Sequence, residues 1–339
     1  MFSAEAHVGC DARVLFVAAA GPRRGYGHLV RCVSFARALG VRPLLAIRGG
    51  RRVKDAALVF GADVLPDASP RVIRSLRPDI VIVDDPIERA ARRWMAAARR
   101  AGALVVSVHD LGIGCRESDL LIDGSVTRTR PARRGKTSLT GTQFALLDPK
   151  VGQLAARHRR AAQNRRVLIA LGGGPRVRLA GAIADAIVAV EPNAEVRIAG
   201  GFVVAPRSAS SKVVWIGATR GLAEELSQAS AAVVAGGVSL YEACALGVPT
   251  VSMPVVTGQV PTVRAFGRRG AVVAASFGTS PDDVARKTVS LLNDAPLRRA
   301  LTERSRALVD GRGASRAAAA VIAMSQARHR RADVVQESR

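Results

Sequence analysis

Two doubly wound α/β domains facing a cleft are the fold class this sequence predicts, and three observations carry it. Apolar runs alternate with helical patterns almost from end to end. Several of these runs are continuous, as parallel strands covered on both faces require. The chain is 339 residues long, beyond the size at which one core usually keeps growing. Aromatics make up only 4% of it, so the cores must be built from Ala, Val, Leu and Ile.

The first half, residues 1–145, opens with a buried strand at 13–19 (RVLFVAA) and a helix at 28–39. A strand at 43–47, a helix at 51–60 and a short strand at 62–65 follow. The run DIVIVD at 79–84 reads as a strand ending in carboxylates. A helix at 87–101 and strands at 104–108 and 120–123 close this half. Residues 124–142 are polar, basic and rich in Thr, Arg and Gly, which predicts a loop. The alternation restarts in the second half, 146–339. Strands are expected at 166–171, 195–198, 212–216, 231–235 and 250–253. Helices are expected from the end of Gly172-Gly173-Gly174-Pro175 to 190, and at 220–229, 239–246, 261–269, 281–293, 296–309 and 314–328.

Composition narrows the function. No apolar run of useful length precedes the first strand, so no signal peptide is read. The longest nearly uncharged region, 226–263, is broken by Glu242 and by several Gly and Pro residues, unlike a membrane span. A cytoplasmic protein is expected. Cys10, Cys32, Cys115 and Cys244 are scattered without metal-ligand spacing, which argues against structural zinc and disulfides and for buried free thiols. Net charge is +24 and favours anionic partners. Nucleic acid is not expected, because no helix-turn-helix or RNP-like aromatic stripe is present. Phosphorylated small molecules and an acidic lipid surface remain as partners, beside an ordinary solvated Arg-rich surface.

The chemistry concentrates at strand-to-helix turns. In Gly25-Tyr26-Gly27-His28, glycines bring the backbone close to a ligand, and the helix that follows offers unpaired N–H groups. His28 therefore lies beside an anion site, unless it merely caps the helix. Gly172 to Gly174 and Gly236-Gly237 each stand between a strand and a helix, so their amides can approach a diphosphate. Neither matches the dinucleotide or P-loop patterns. Glu242, one turn inside its helix, can accept from both hydroxyls of a ribose or simply complement the helix dipole. Asp84, Asp85, Asp110 and Asp123 end strands and are candidates for orienting a sugar or His28, or for capping and turn roles.

These residues carry a resemblance. The segment from WIGATRGLAEELSQ to VVTGQ, ending at Gln259, resembles the nucleotide-binding half of GT-B enzymes, which have two Rossmann-type domains. GYGHLVRCVSFARAL resembles the opening motif of the PseG/SpsG family, the UDP-sugar hydrolases of pseudaminic acid biosynthesis, related to MurG-type glycosyltransferases. VIVDD, VSVHDLGIGCRESDLLID, GTQFALLDPKV and LIALGGG support it along essentially the whole chain. The resemblance implies His28 as the catalytic residue and Glu242 as the ribose ligand. It implies Gly172, Gly173, Gly237, Ser239 and Leu240 as the diphosphate cradle, with Gln259 touching sugar or phosphate. Gly25, Gly27, Asp84 and Ile216 complete the expected substrate-binding set, with no metal and no cofactor.

Departures fall on the sugar side. Asp84-Asp85-Pro86 stands where the hydrolases tend to show Asp-His-Tyr, and Asp123-Gly124-Ser125 where they show Asp-Gln-Asn. Gly258 replaces the Asn usually paired with the Gln. Three functions fit: a nucleotide-sugar hydrolase in nonulosonate or surface polysaccharide biosynthesis, a glycosyltransferase with a sugar or lipid acceptor, and a binder without chemistry.

Overall fold

The computed structural model describes residues 12–21, 25–109, 118–127, 137–157, 164–172, 176–201, 212–217 and 221–337. The first half runs β1 (Val14–Ala19), α1 (Gly27–Leu39), β2 (Leu44–Arg48), α2 (Arg51–Val59), β3 (Asp63–Val64), α3 (Val72–Leu76), β4 (Ile80–Asp84), α4 (Glu88–Arg100), β5 (Leu104–His109), β6 (Leu120–Asp123) and β7 (Thr137–Thr140). All seven strands pair in parallel, in the order β3-β2-β1-β4-β5-β6-β7. Strand alternation distributes the apolar side chains to both faces. Phe16, Ala18, Ile80 and Ile82 join the cluster under α1 and α2, whereas Leu15, Val17, Val81 and Val83 meet α3 and α4 on the other face.

A second sheet follows: α5 (Pro149–Ala156), β8 (Arg166–Ala170), α6 (Arg176–Val190), β9 (Glu195–Ala199), β10 (Val213–Ile216), α7 (Ala223–Gln228), β11 (Ala231–Ala235), α8 (Val238–Leu246), β12 (Thr250–Met253), α9 (Val260–Arg268) and β13 (Val273–Ala274). Its strands are also parallel, ordered β10-β9-β8-β11-β12-β13. Helices α10 (Pro281–Asn293), α11 (Ala295–Leu308) and α12 (Gly313–Glu337) end the chain. Each sheet therefore reverses strand order once, at β1/β4 and at β8/β11, and open α/β sheets bind ligands at such switch points.

The expected loop at 124–142 is corrected in part. Thr137–Thr140 forms the edge strand β7, paired with β6 from Leu120↔Thr137 to Asp123↔Thr140. An edge strand buries little, so its sequence carries no apolar run, while β-branched Thr still suits the pleat. Cys32 and Cys244 are buried free thiols; Cys10 and Cys115 lie outside the described residues.

The chain crosses between the two sheets twice. After the second crossing α12 packs on the first domain, placing Ala314, Ala317, Ala318 and Val321 in the cluster of Phe16 and Phe35. Sequence order alone puts this helix with the second half. The crossings touch at Ala145: a Cβ on Gly313 of the second crossing would overlap its carbonyl oxygen and amide nitrogen, and one on Gly124, just after β6, would lie 2.5 Å from its Cα. Backbone against backbone leaves no flexible group to give way. Gly313→Ala should therefore lower stability by roughly 1 to 3 kcal/mol, the usual cost of overpacking. Urea unfolding midpoints would check this, and an unchanged midpoint would mean the crossings separate freely.

Candidate functional site

The C-terminal ends of both sheets face a shared cleft of ≈ 380 Å³, within the range of small-molecule sites. Its first wall is the turn after β1. Gly25 holds φ +80° and exchanges backbone hydrogen bonds with Gly21, so the chain folds back before α1 begins. Tyr26 precedes α1 without a side-chain cap, and the first turn of α1 holds no acidic residue. The opposite wall is the start of α8, where Gly237 precedes Val238 and again no side chain caps the helix. The two helix starts nearly meet, since a Cβ on Gly27 would lie 3.7 Å from the Val238 Cγ2. Two N-termini with their unpaired amides thus converge on one space, which suits an anion.

His28 lines this space, and its side chain is 18% exposed. Its Nδ1 lies 2.8 Å from Asp84 Oδ1. Arg31, one turn along α1, donates from Nε to Asp84 Oδ2 at 2.9 Å and from Nη2 to Oδ1 at 2.7 Å, and Nη2 also lies 2.9 Å from the His28 Nδ1. Burial alone would raise the Asp84 carboxyl. The Arg31 guanidinium and then His28 outweigh burial and hold it at about 2, so it is a carboxylate. Arg31 can only donate, and its facing N–H groups already meet both carboxylate oxygens. We therefore assign Nδ1–H as the donor to Asp84, which leaves Nε2 as the basic nitrogen.

This geometry corrects the expectation that Asp84 binds substrate. It is 1% exposed, stands behind His28 and is absent from the cleft lining. Of the other strand-ending carboxylates, Asp85 accepts two bonds from the Arg48 Nη2 (2.7 and 2.6 Å), one from its Nε (3.0 Å), and one from the Ile87 N–H just before α4. Asp123 is fully buried and accepts from the Ser125 N–H at 2.9 Å. Asp110 lies outside the described residues.

On the second domain Gly172 (φ +85°), Gly237, Ser239, Glu242 and Gln259 all line the cleft. Gly173 and Gly174 lie outside the described residues. Leu240 is a correction. Its side chain is fully buried in the core under α8, and its N–H donates to the Gly237 carbonyl, so neither faces a ligand. Ile216 is half-buried against that same core, and its neighbour Gly217 reaches the cleft. Gln259 accepts the Val255 N–H on Oε1 at 2.9 Å, which fixes the amide plane with Nε2 beside Gly237. Glu242 is 5% exposed, and burial, helped by the nearby Asp148 charge, pushes its carboxyl up to about 7. Among the described residues no three His, Cys, Asp or Glu are grouped as a metal site would need.

Two lining residues, Arg176 and Arg31, carry no role in the sequence reading, and a third, His109, is a polar residue that ends a strand at the ligand crevice. Arg176 opens α6 beside Gly172, and its signal was available: a cation at a helix start opposes the dipole and marks a place for an anion. Arg31 had a spacing signal, three residues after His28, but its partner lies 53 residues away. His109, at the end of β5, bonds to Ser107 at 3.1 Å.

Comparison with known proteins agrees with this architecture. The sequence profile of the glycosyl transferases group 1 family matches residues 189–308. The spore coat polysaccharide biosynthesis protein SpsG of Bacillus subtilis (strain 168) is 26% identical over 326 residues, covering 88% of this chain and 94% of that protein. The spinosyn forosaminyltransferase SpnP superposes with a TM-score of 0.61 at 17% identity, covering 93% of this chain and 100% of SpnP. The S. aureus MnaA structure with UDP superposes with a TM-score of 0.59 at 12% identity, covering 90% and 94%. With two parallel-sheet domains and a cleft between their switch points, the chain has the GT-B fold, and it is similar to SpsG along most of its length and to the group 1 glycosyl transferases over part of its second half.

Proposed function

We propose that this enzyme hydrolyses a nucleoside diphosphate sugar, with UDP as the nucleotide, in the making of a nonulosonate or surface polysaccharide. The observation that carries the reading is the buried Arg31–Asp84–His28 chain, which presents a basic imidazole nitrogen to a space bounded by two uncapped helix starts. His28 Nε2 takes the proton of a water whose oxygen attacks the anomeric carbon. The bond from that carbon to the diphosphate oxygen breaks, and its electron pair leaves with the diphosphate. The charge that develops there meets the Val238 and Ser239 amides at the start of α8, the Arg176 guanidinium and the Gln259 Nε2, the last of these held in place by the Val255 contact. Glu242 accepts from the ribose hydroxyls.

A glycosyltransferase is the second reading, and one observation favours it. Phe60, Val108 and Leu146 make the first-domain side of the cleft apolar, which suits a hydroxyl acceptor with apolar surface better than water alone. The test is release of nucleoside diphosphate from a panel of UDP-, GDP- and dTDP-sugars, in water and with acceptor extracts. Release in water supports the hydrolase, release only with extract supports the transferase, and binding with no release at all removes the chemistry.

Asp84→Asn separates orientation from binding. The variant keeps the shape but offers Nδ1–H a weaker acceptor and leaves the Arg31 charge buried without its carboxylate. We expect a loss of roughly 10²-fold in kcat with KM little changed, and about 3 kcal/mol or more of stability. Steady-state kinetics and urea unfolding would check both, and a variant with full kcat would remove Asp84 from the mechanism.

A further inference from the structure

We propose that the face of the first domain built by α3 and α4 docks on an anionic phospholipid bilayer. Both helices pack on one side of the first sheet through Ile73, Ala91, Trp94, Met95 and Ala98. Their outward side is arginine: Arg74 and Arg77 on and just after α3, and Arg89, Arg93, Arg99 and Arg100 on α4, all exposed. Glu88 is the one carboxylate within these two helices, and it is taken up by Arg92 at 2.7 Å. The spacing of Arg89, Arg93 and Arg100 keeps their side chains on a single stripe. Helix α10, in contrast, sets Asp282 and Asp283 against Arg286 and Lys287.

The face lacks the features a nucleic acid would use. Its one aromatic, Trp94, is 2% exposed, so no ring is offered for base stacking. Guanidiniums on packed helices match the flat negative charge of a bilayer surface, to which each arginine adds attraction. At the start of α4 stands Ile87, 36% exposed beside the exposed Pro86, an apolar contact at the cleft end of the stripe. Among the described residues no helix is long and apolar enough to cross a membrane, so the association would be peripheral.

The experiment is co-sedimentation of the full chain with vesicles of phosphatidylcholine alone or mixed with phosphatidylglycerol, at rising salt. We expect binding only to the mixed vesicles, weakening steeply with salt. Arg89→Ala/Arg93→Ala/Arg100→Ala should lose about five-fold per arginine, roughly a hundredfold together. Arg268→Ala/Lys287→Ala/Arg299→Ala removes the same charge from exposed helices of the second half and should keep binding within about five-fold. Equal loss in both variants would overturn the proposal in favour of net charge alone. Absence of vesicle binding would overturn it too, and retention of heparin or single-stranded DNA in its place would assign the face to a soluble polyanion.

Discussion

His28→Ala should leave nucleotide binding intact and reduce release of nucleoside diphosphate by roughly 10²- to 10⁴-fold, the range a positioned general base contributes. The size of the effect follows from where His28 sits. Asp84 and Arg31 are buried or nearly so and meet each other as well as the imidazole, so deleting the ring removes the group that reaches the cleft and leaves its support paired. The fold should therefore survive, and loss of activity would not be loss of structure. The proposed diphosphate site lies on the other domain, which predicts an unchanged nucleotide affinity by calorimetry. Three results would count against the reading. Full activity would make His28 a capping residue. Lost affinity with unchanged turnover would place it on the nucleotide. A melting temperature lowered by many degrees would make the Asp84 contact structural.

The same residues show how far the sequence alone could reach. Buried parallel strands are legible because each is a continuous apolar run, as in RVLFVAA and DIVIVD, and each glycine turn marks where such a strand hands over to a helix. His28, Gly172, Gly237 and Glu242 line the cleft because they stand at such turns. Strand β7 is not legible in this way, because an edge strand of TSLT buries too little to need apolar residues. The packing of α12 on the first domain is not either, because its alanine-rich apolar stripe fits either core and only the second crossing decides between them. The largest gain concerns Asp84. A strand-ending carboxylate can face a ligand or a neighbouring side chain, and the choice depends on Arg31, which sequence distance hides but the β1/β4 switch point brings within hydrogen-bond reach.

Glu242 tests whether the proposed ribose site is maintained at a cost to stability. An unfolded glutamate releases its proton near 4.5, whereas in the folded chain burial, with Asp148 nearby, keeps the proton on up to about 7. Below 4.5 both states are protonated and Glu242 does not change stability with pH. Between 4.5 and 7 the folded chain holds a proton that the unfolded chain has lost, so stability falls as pH rises through this window. Above 7 the loss is complete, and it amounts to about 3 kcal/mol. Asp84 acts in the opposite direction and elsewhere on the scale: its stabilisation is present above 3.8 and disappears as pH falls through about 2. Glu242→Gln should therefore melt several degrees above the wild type at pH 8 and together with it at pH 4, the difference growing through the window between. The same substitution should weaken nucleotide binding by roughly 10- to 100-fold, because hydrogen bonds to a charged acceptor are lost. Ribose hydroxyls favour the carboxylate, so nucleotide binding to the wild type at pH 6 should release a proton, visible in calorimetry as an enthalpy that depends on the buffer. A melting difference that does not change with pH would mean Glu242 does not titrate in this window. A stabilised variant that still binds nucleotide fully would leave the buried carboxyl without a ribose to explain it.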